Sequence, residues 1–139
     1  MPDPKQSASV SSAAGGSEAM AWIVAVAAWL IPGLGHALQR KWARAVVYFV
    51  TVAALVAVGI TMHGTLFTSE GAADAFDFLG YLSNLGAGLF YFIARPIAAG
   101  AADAAHASGD YGTRFLATAG VLNLLCVLEA YEIARRRKP

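Results

Sequence analysis

Apolar runs close to membrane-crossing length alternate with short polar connections, and this alternation organises the chain. Ala19 to Leu38 carries no formal charge when His36 is neutral. It approaches the roughly 20 apolar residues needed to cross about 30 Å of hydrocarbon. Ala45 to Met62 is apolar apart from Tyr48, Thr51 and Thr61. Phe78 to Ala94 is a third run, closed by Arg95-Pro96, and Phe115 to Leu128 is a fourth that can continue helically through Ala134. The pattern predicts an all-α fold, an integral membrane bundle of about four transmembrane helices over 19–38, 45–62, 78–94 and 115–134. The first pair is expected to form a tight hairpin, and residues 18–138 to form the membrane domain. Residues 1–17, rich in Ser, Ala, Gly and Pro without a hydrophobic period, read as a disordered tail.

The connections carry the punctuation. Pro32 lacks an N–H and its ring crowds the carbonyl of Ala28, so the first helix should kink or end there, with Gly33 and Gly35 permitting unusual backbone angles. A backbone break inside a membrane must be satisfied by protein or water, which makes Pro32-Gly33-Leu34-Gly35-His36 a packed structural turn. Arg40, Lys41 and Arg44 follow as a basic connection beside Trp42, an interfacial anchor. His63 to Asp77 holds Glu70, Asp74 and Asp77 and reads as a loop. Ile97 to Arg114, with Asp103, His106, Asp110 and Arg114, reads as a loop or an interfacial helical piece.

Two runs carry small, polar faces. Gly80, Asn84 and Gly88 recur every four residues in the third, and Ala119, Asn123, Cys126 and Ala130 follow helical spacing in the fourth. Small residues let membrane helices approach and a buried amide seeks a partner, so Gly80, Asn84, Gly88 and Asn123 are candidate packing positions. Asn84 and Asn123 should face the bundle interior, bonding either each other or backbone.

Composition agrees with the pattern: 58% of residues are hydrophobic and 14% charged, far more apolar than an ordinary soluble domain. A formal net charge of +1 gives no global reason to expect a nucleic acid partner. The single cysteine, Cys126, excludes an intramolecular disulfide framework. His36 is the sharpest chemical candidate, because an ionisable side chain near a membrane-helix end can hydrogen-bond, move a proton or ligate. The bland reading is that its imidazole caps groups freed by Pro32 or packs on the next helix. His-x-x-x-His spacing, nucleophile elbows, Walker loops and dinucleotide fingerprints are absent, so no metal or cofactor is expected and catalysis is disfavoured. An intramembrane enzyme would need at least two of His36, His106, Glu129 and Glu132 to converge.

Charge does not settle the topology. The first connection and the tail Arg135, Arg136, Arg137 and Lys138, read as topology and lipid anchors, both favour the cytoplasm. Three intervening spans would put them on opposite sides. Placing the first connection inside leaves Arg40, Lys41, Arg44, Arg95 and Arg114 against Lys5 and the four tail residues, five against five, so the positive-inside rule does not choose. A re-entrant third run would bring both basic segments to one side.

Pro32-Gly33-Leu34-Gly35-His36 with Arg40 and Arg44 resembles the first hairpin of a broad group of small bacterial multi-pass membrane proteins, where a Pro-Gly-Leu-Gly-His or Pro-Gly-Leu-Gly-Gln turn precedes a basic connection. That hairpin is also similar to the two-transmembrane domain. Leu79 to Gly88, and Asn123 to Ala134, resemble an uncharacterised family within that group. The turn departs from many relatives at Ala37-Leu38-Gln39, where an aromatic residue and a second glycine are usual. The resemblance implies a helical protein of the bacterial inner membrane and supplies no reaction. The resulting expectation is a non-enzymatic membrane protein acting by helix packing, as a homo-oligomer or accessory subunit in the lipid bilayer. The alternative is a ligand-binding or transport-related protein whose polar interior is lined by His36, Asn84, Asn123 and Glu129.

Overall fold

Apolar helices broken by glycine and proline give six helical pieces. The computed structural model describes residues 4–71, 73–101 and 107–136. Helices α1 (Pro4–Leu30), α2 (Leu34–Leu38), α3 (Trp42–Thr61), α4 (Ala75–Gly86), α5 (Leu89–Ala101) and α6 (Ala107–Arg136) follow in order, with a short 3-10 turn at Ser69–Gly71. The chain is an all-α bundle. Helices α3 and α6 are long and apolar enough to cross a membrane. Their 20 and 30 residues correspond to about 30 and 45 Å at 1.5 Å per residue.

The two other apolar runs are each divided, for identifiable reasons. In 19–38 the helix stops at Leu30, and Gly33 takes φ 84°, a left-handed conformation that glycine adopts without a Cβ penalty. The chain then doubles back as α2, so Gly35 lies against Ala28 and Val24 of α1. The tight hairpin therefore falls inside the first run, between α1 and α2, and not between 19–38 and 45–62. In 78–94 the helix stops at Gly86, and Gly88 takes φ 62°, so the third run is two helices with a reversal between them.

The Ala-rich stretch beginning at Ile97, expected as a loop or an interfacial helical piece, is helical where described: it continues α5 to Ala101, and α6 starts at Ala107, as its alanines favour. Backbone within 1–17 is helical from Pro4, where the sequence suggested a tail; its Ala and Ser residues are compatible with helix when joined to an apolar segment. Arg137, Lys138 and His106 lie outside the described residues.

Side-chain pairs along α6 give the level of every piece. Glu18 meets Arg135, Trp22 meets Tyr131, and Trp29 meets Asn123, so α1 runs antiparallel to α6 and ends near its midpoint. Arg44 meets Glu129, while Gly59 packs on Leu116 and Gly112, so α3 is also antiparallel to α6. From the opposite end, α4 runs parallel to α6, with Ser83 at Ala117 and Gly86 at Asn123. Helix α5 then returns along α3, with Phe90 on Phe49 and Ala94 in a core with Val52, Val56, Leu116 and Ala119. Two hairpins thus enter from opposite ends and meet halfway along two full-length helices.

Small side chains make that meeting possible. Ala21, Ala25, Ala28, Ala45, Ala94, Ala98, Ala119 and Ala130 are buried at the helix contacts, which brings backbones close enough for dispersion and interhelical hydrogen bonds to hold them. The outward faces carry large apolar residues such as Trp22, Val46, Val50, Leu125 and Leu128.

Candidate functional site

Two polar constellations stand out in this apolar frame, one near the basic end and one at the bundle midpoint. The first is built by the proline turn. Because α2 reverses beside α1, it carries His36 to the level of Glu129, where the imidazole is 0% exposed. His36 Nε2 lies 3.5 Å from Glu129 Oε2, and its ring stacks at a tilt on Tyr48 of α3, centroids 4.8 Å apart. The Tyr48 hydroxyl donates to Glu129 Oε2 and Arg44 donates to Glu129 Oε1. One carboxylate on α6 therefore gathers a histidine from the turn and a tyrosine and an arginine from α3. Gln39 adds a further tie, donating through Nε2 to the Ala130 carbonyl at 2.8 Å.

Access is one-sided. Arg44 and Glu129 side chains are 54% and 33% exposed, while His36 closes the inner end. The arrangement fastens the turn to both long helices. His36 and Glu129 do converge, whereas Glu132 faces outward and pairs with Arg136.

The second constellation sits where the hairpins meet. Asn123 Nδ2 donates to the Trp29 carbonyl at 3.2 Å and to the Gly86 carbonyl at 2.8 Å, which are C-terminal carbonyls of α1 and α4. Trp29 Nε1 donates to the Leu85 carbonyl at 3.0 Å. These donors satisfy groups that a helix C-terminus leaves without an intrahelical partner. Asn123 and Asn84 are 0% and 1% exposed. Among the described residues, Asn123 Oδ1 and both polar side-chain atoms of Asn84 have no hydrogen-bond partner.

The sequence-derived residues fall out as follows. Pro32, Gly33, Gly35 and His36 form the buried turn, and a methyl group on Gly35 would sit 2.7 Å from the Ala28 Cβ. Asn123 bonds backbone, donating to the two helix ends, and no Asn84–Asn123 hydrogen bond forms. The expected i, i+4 face of Gly80, Asn84 and Gly88 is not one contact: Gly80 meets Phe67, and Gly88 abuts the Trp29 carbonyl at a helix break. The face of α4 that packs on α6 is Ser83 with Gly86, opposite Gly120. Arg40, Lys41, Arg44, Arg135 and Arg136 are gathered at one end of the bundle, reached from the levels of Ala130 and Arg135 on α6.

Sequence reasoning missed Trp29, Tyr48 and Gly120. Tyr48 carried the clearest signal, a hydroxyl one turn after Arg44 within an apolar run. Among the described residues no group of three or more His, Cys, Asp or Glu is placed to hold a metal ion.

Fold and site together define a small all-helical bundle with two helices able to cross a membrane and two half-length hairpins pinned between them. The family described as one of unknown function, DUF6677, matches residues 23–139, and the chain belongs to that family. No curated protein and no solved structure gives a significant match to the chain.

Proposed function

We propose that the protein is a non-enzymatic, multi-pass integral protein of the bacterial inner membrane that works by helix packing, as a homo-oligomer or an accessory subunit. In this reading α3 and α6 cross the bilayer, while α1–α2 and α4–α5 are re-entrant hairpins that enter from opposite faces. The observation that carries it is the joint closure of both hairpin ends on Asn123. Pro32, Gly33, Gly86, Ala87 and Gly88 are all buried, as irregular backbone at membrane depth must be.

This arrangement also answers the charge problem. Lys5, Arg40, Lys41, Arg44, Arg135 and Arg136 share one end, against Arg95 and Arg114 toward the other, six against two among the described residues. That asymmetry supports a cytoplasmic first end. Glu70, Asp74, Asp77 and Asp110 collect at the other end. The resemblance of the proline turn to that of other small bacterial membrane proteins agrees with this reading.

The test is purification of the tagged chain from membranes in mild detergent, with the mass of the particle and of each component measured. An oligomer, or a stoichiometric partner, is expected. A bare monomer that recovers no partner contradicts the packing role.

A second reading has its own observation. His36, Asn84 and Asn123 are polar side chains fully enclosed by the bundle, which favours an ion- or small-ligand-binding membrane protein with a polar interior. A ligand-dependent change in stability, removed by changing these residues, is its expected signature.

A further inference from the structure

We propose that a groove between α2 and α3 at the basic end holds one anionic glycerophospholipid, its phosphate on Arg40 and Lys41 and an acyl chain against Pro32, Leu34, Ala37, Trp42, Val46 and Phe49. This rests on the reading of the bundle as a membrane protein with that end in the cytoplasm.

The groove follows from the proline turn. Gly33 has no side chain, so α3 comes against its backbone, and a methyl group there would collide with the Ala45 carbonyl. That contact closes the floor. Because α2 has only 5 residues, it covers only the first part of α3. A cleft of about 210 Å³ is left, with Leu34 and Ala37 on one side and Trp42, Val46 and Phe49 on the other. It opens outward, where Trp42, Val46 and Phe49 are exposed, and in the membrane reading that side faces lipid.

The cations that head the groove are unpaired. Arg44, Arg135 and Arg136 each meet a carboxylate, on Glu129, Glu18 and Glu132. Arg40 and Lys41 have no acidic partner among the described residues. The C-terminus of α2 and the N-terminus of α3 adjoin here and their opposite dipole charges offset, so the two formal charges set the local potential. Arg40 is also fixed in place. It takes φ 61° at the end of α2, where its N–H bonds the Ala37 carbonyl and that of Lys41 bonds the His36 carbonyl. Glycine is the usual residue at that place, so the cation is carried at a conformational cost that a turn alone does not require.

Depth in the bilayer agrees with a lipid. Trp42 is an interfacial residue, Arg40 and Lys41 precede it, and the groove runs inward from Trp42 to Phe49, seven residues along α3 or about 10 Å. Cation, indole and apolar groove thus follow in the order of phosphate, ester and acyl chain. Basic pockets between helices on the cytoplasmic side suit anionic head groups. A second copy of the chain is a poorer occupant, because it would have to bring acids, and Glu18, Glu129 and Glu132 at this end are already engaged.

In the experiment the full chain, stripped of lipid in dodecylmaltoside, receives equal amounts of dioleoyl phosphatidylglycerol and dioleoyl phosphatidylcholine. Native mass spectrometry then counts what each chain retains. One phosphatidylglycerol is expected, favoured about tenfold or more over phosphatidylcholine. Arg40→Gln with Lys41→Gln should abolish that preference. Arg135→Gln with Arg136→Gln removes the same charge from the same end, away from the groove, and should leave it. Val46→Trp, at an exposed position, fills the groove with both cations kept and should weaken retention about tenfold.

Equal retention of the two lipids by the parent would overturn the proposal. So would loss of the preference in both double variants, which would make it an effect of net charge alone. Displacement of the lipid by an equal concentration of glycerol 3-phosphate would overturn the lipid as occupant. If a variant fails to fold, the parent's two-lipid comparison and the glycerol 3-phosphate competition still decide. A chain that leaves the membrane only in detergent but shows no lipid preference loses the site and keeps the membrane reading; a chain recovered in the soluble fraction without detergent loses both.

Discussion

Removing the Asn123 amide should loosen both hairpins at once. In Asn123→Leu the side chain keeps its branched shape, somewhat enlarged, and loses the donor, so the Trp29 and Gly86 carbonyls, bonded at 3.2 and 2.8 Å, face an apolar group. Stranding a buried acceptor costs about 1–3 kcal/mol, but interhelical hydrogen bonds in membrane bundles average only about 0.6 kcal/mol because the loosened state finds other partners. Two bonds therefore give a loss of about 1–4 kcal/mol. Asn123→Ala adds a cavity and should lose about 1–2 kcal/mol more. The assay is reversible unfolding in dodecylmaltoside micelles titrated with dodecyl sulfate, read by tryptophan fluorescence. If Asn123→Leu is within about 0.5 kcal/mol of the parent, the amide does not pin the hairpins and the reasoning is refuted.

Further outcomes follow from other contacts. Trp29→Phe keeps an aromatic ring but removes the donor to the Leu85 carbonyl, for a loss of about 0.5–1.5 kcal/mol in the same titration. Gly88→Ala should prevent normal folding, since the added methyl meets the Trp29 carbonyl and the backbone holds φ 62°. Gly100→Ala, where nothing lies within 4 Å of the added atom, should be neutral or stabilise by up to about 1 kcal/mol; equal behaviour of the two variants on size exclusion would contradict the packing. Arg44→Ala removes an ion pair whose arginine is half exposed and should cost less than about 1 kcal/mol. Tyr48→Phe, which takes the hydroxyl from Glu129 beside buried His36, should cost more than Arg44→Ala does.

How much of this was legible beforehand divides along physical lines. The all-helical character was written in the apolar runs, and the break at Pro32 followed from the missing N–H and the ring clash. The break at Gly88 was not, because glycine is also common in straight membrane helices, and only the approach of the Trp29 carbonyl explains why the chain turns there. Counting apolar residues could not tell a half-length hairpin from a span, since the apolar part of α1 with the turn and α2, residues 19–38, has a span's length. Buried Asn123 was visible from its place on a small-residue face, but its partners are backbone carbonyls that no residue type announces. The convergence of His36 with Glu129 needed the reversal of α2, which places residues 93 apart in sequence at one level.

The central claim is that two helices cross and two hairpins do not. It is tested most directly by attaching membrane-impermeant maleimide to single cysteines at Lys41, Asp74 and Arg136 in a Cys126→Ala protein, in sealed vesicles of known orientation. The account predicts that positions 41 and 136 label from the cytoplasmic side and position 74 from the other. Labelling of 41 and 136 from opposite sides would contradict it.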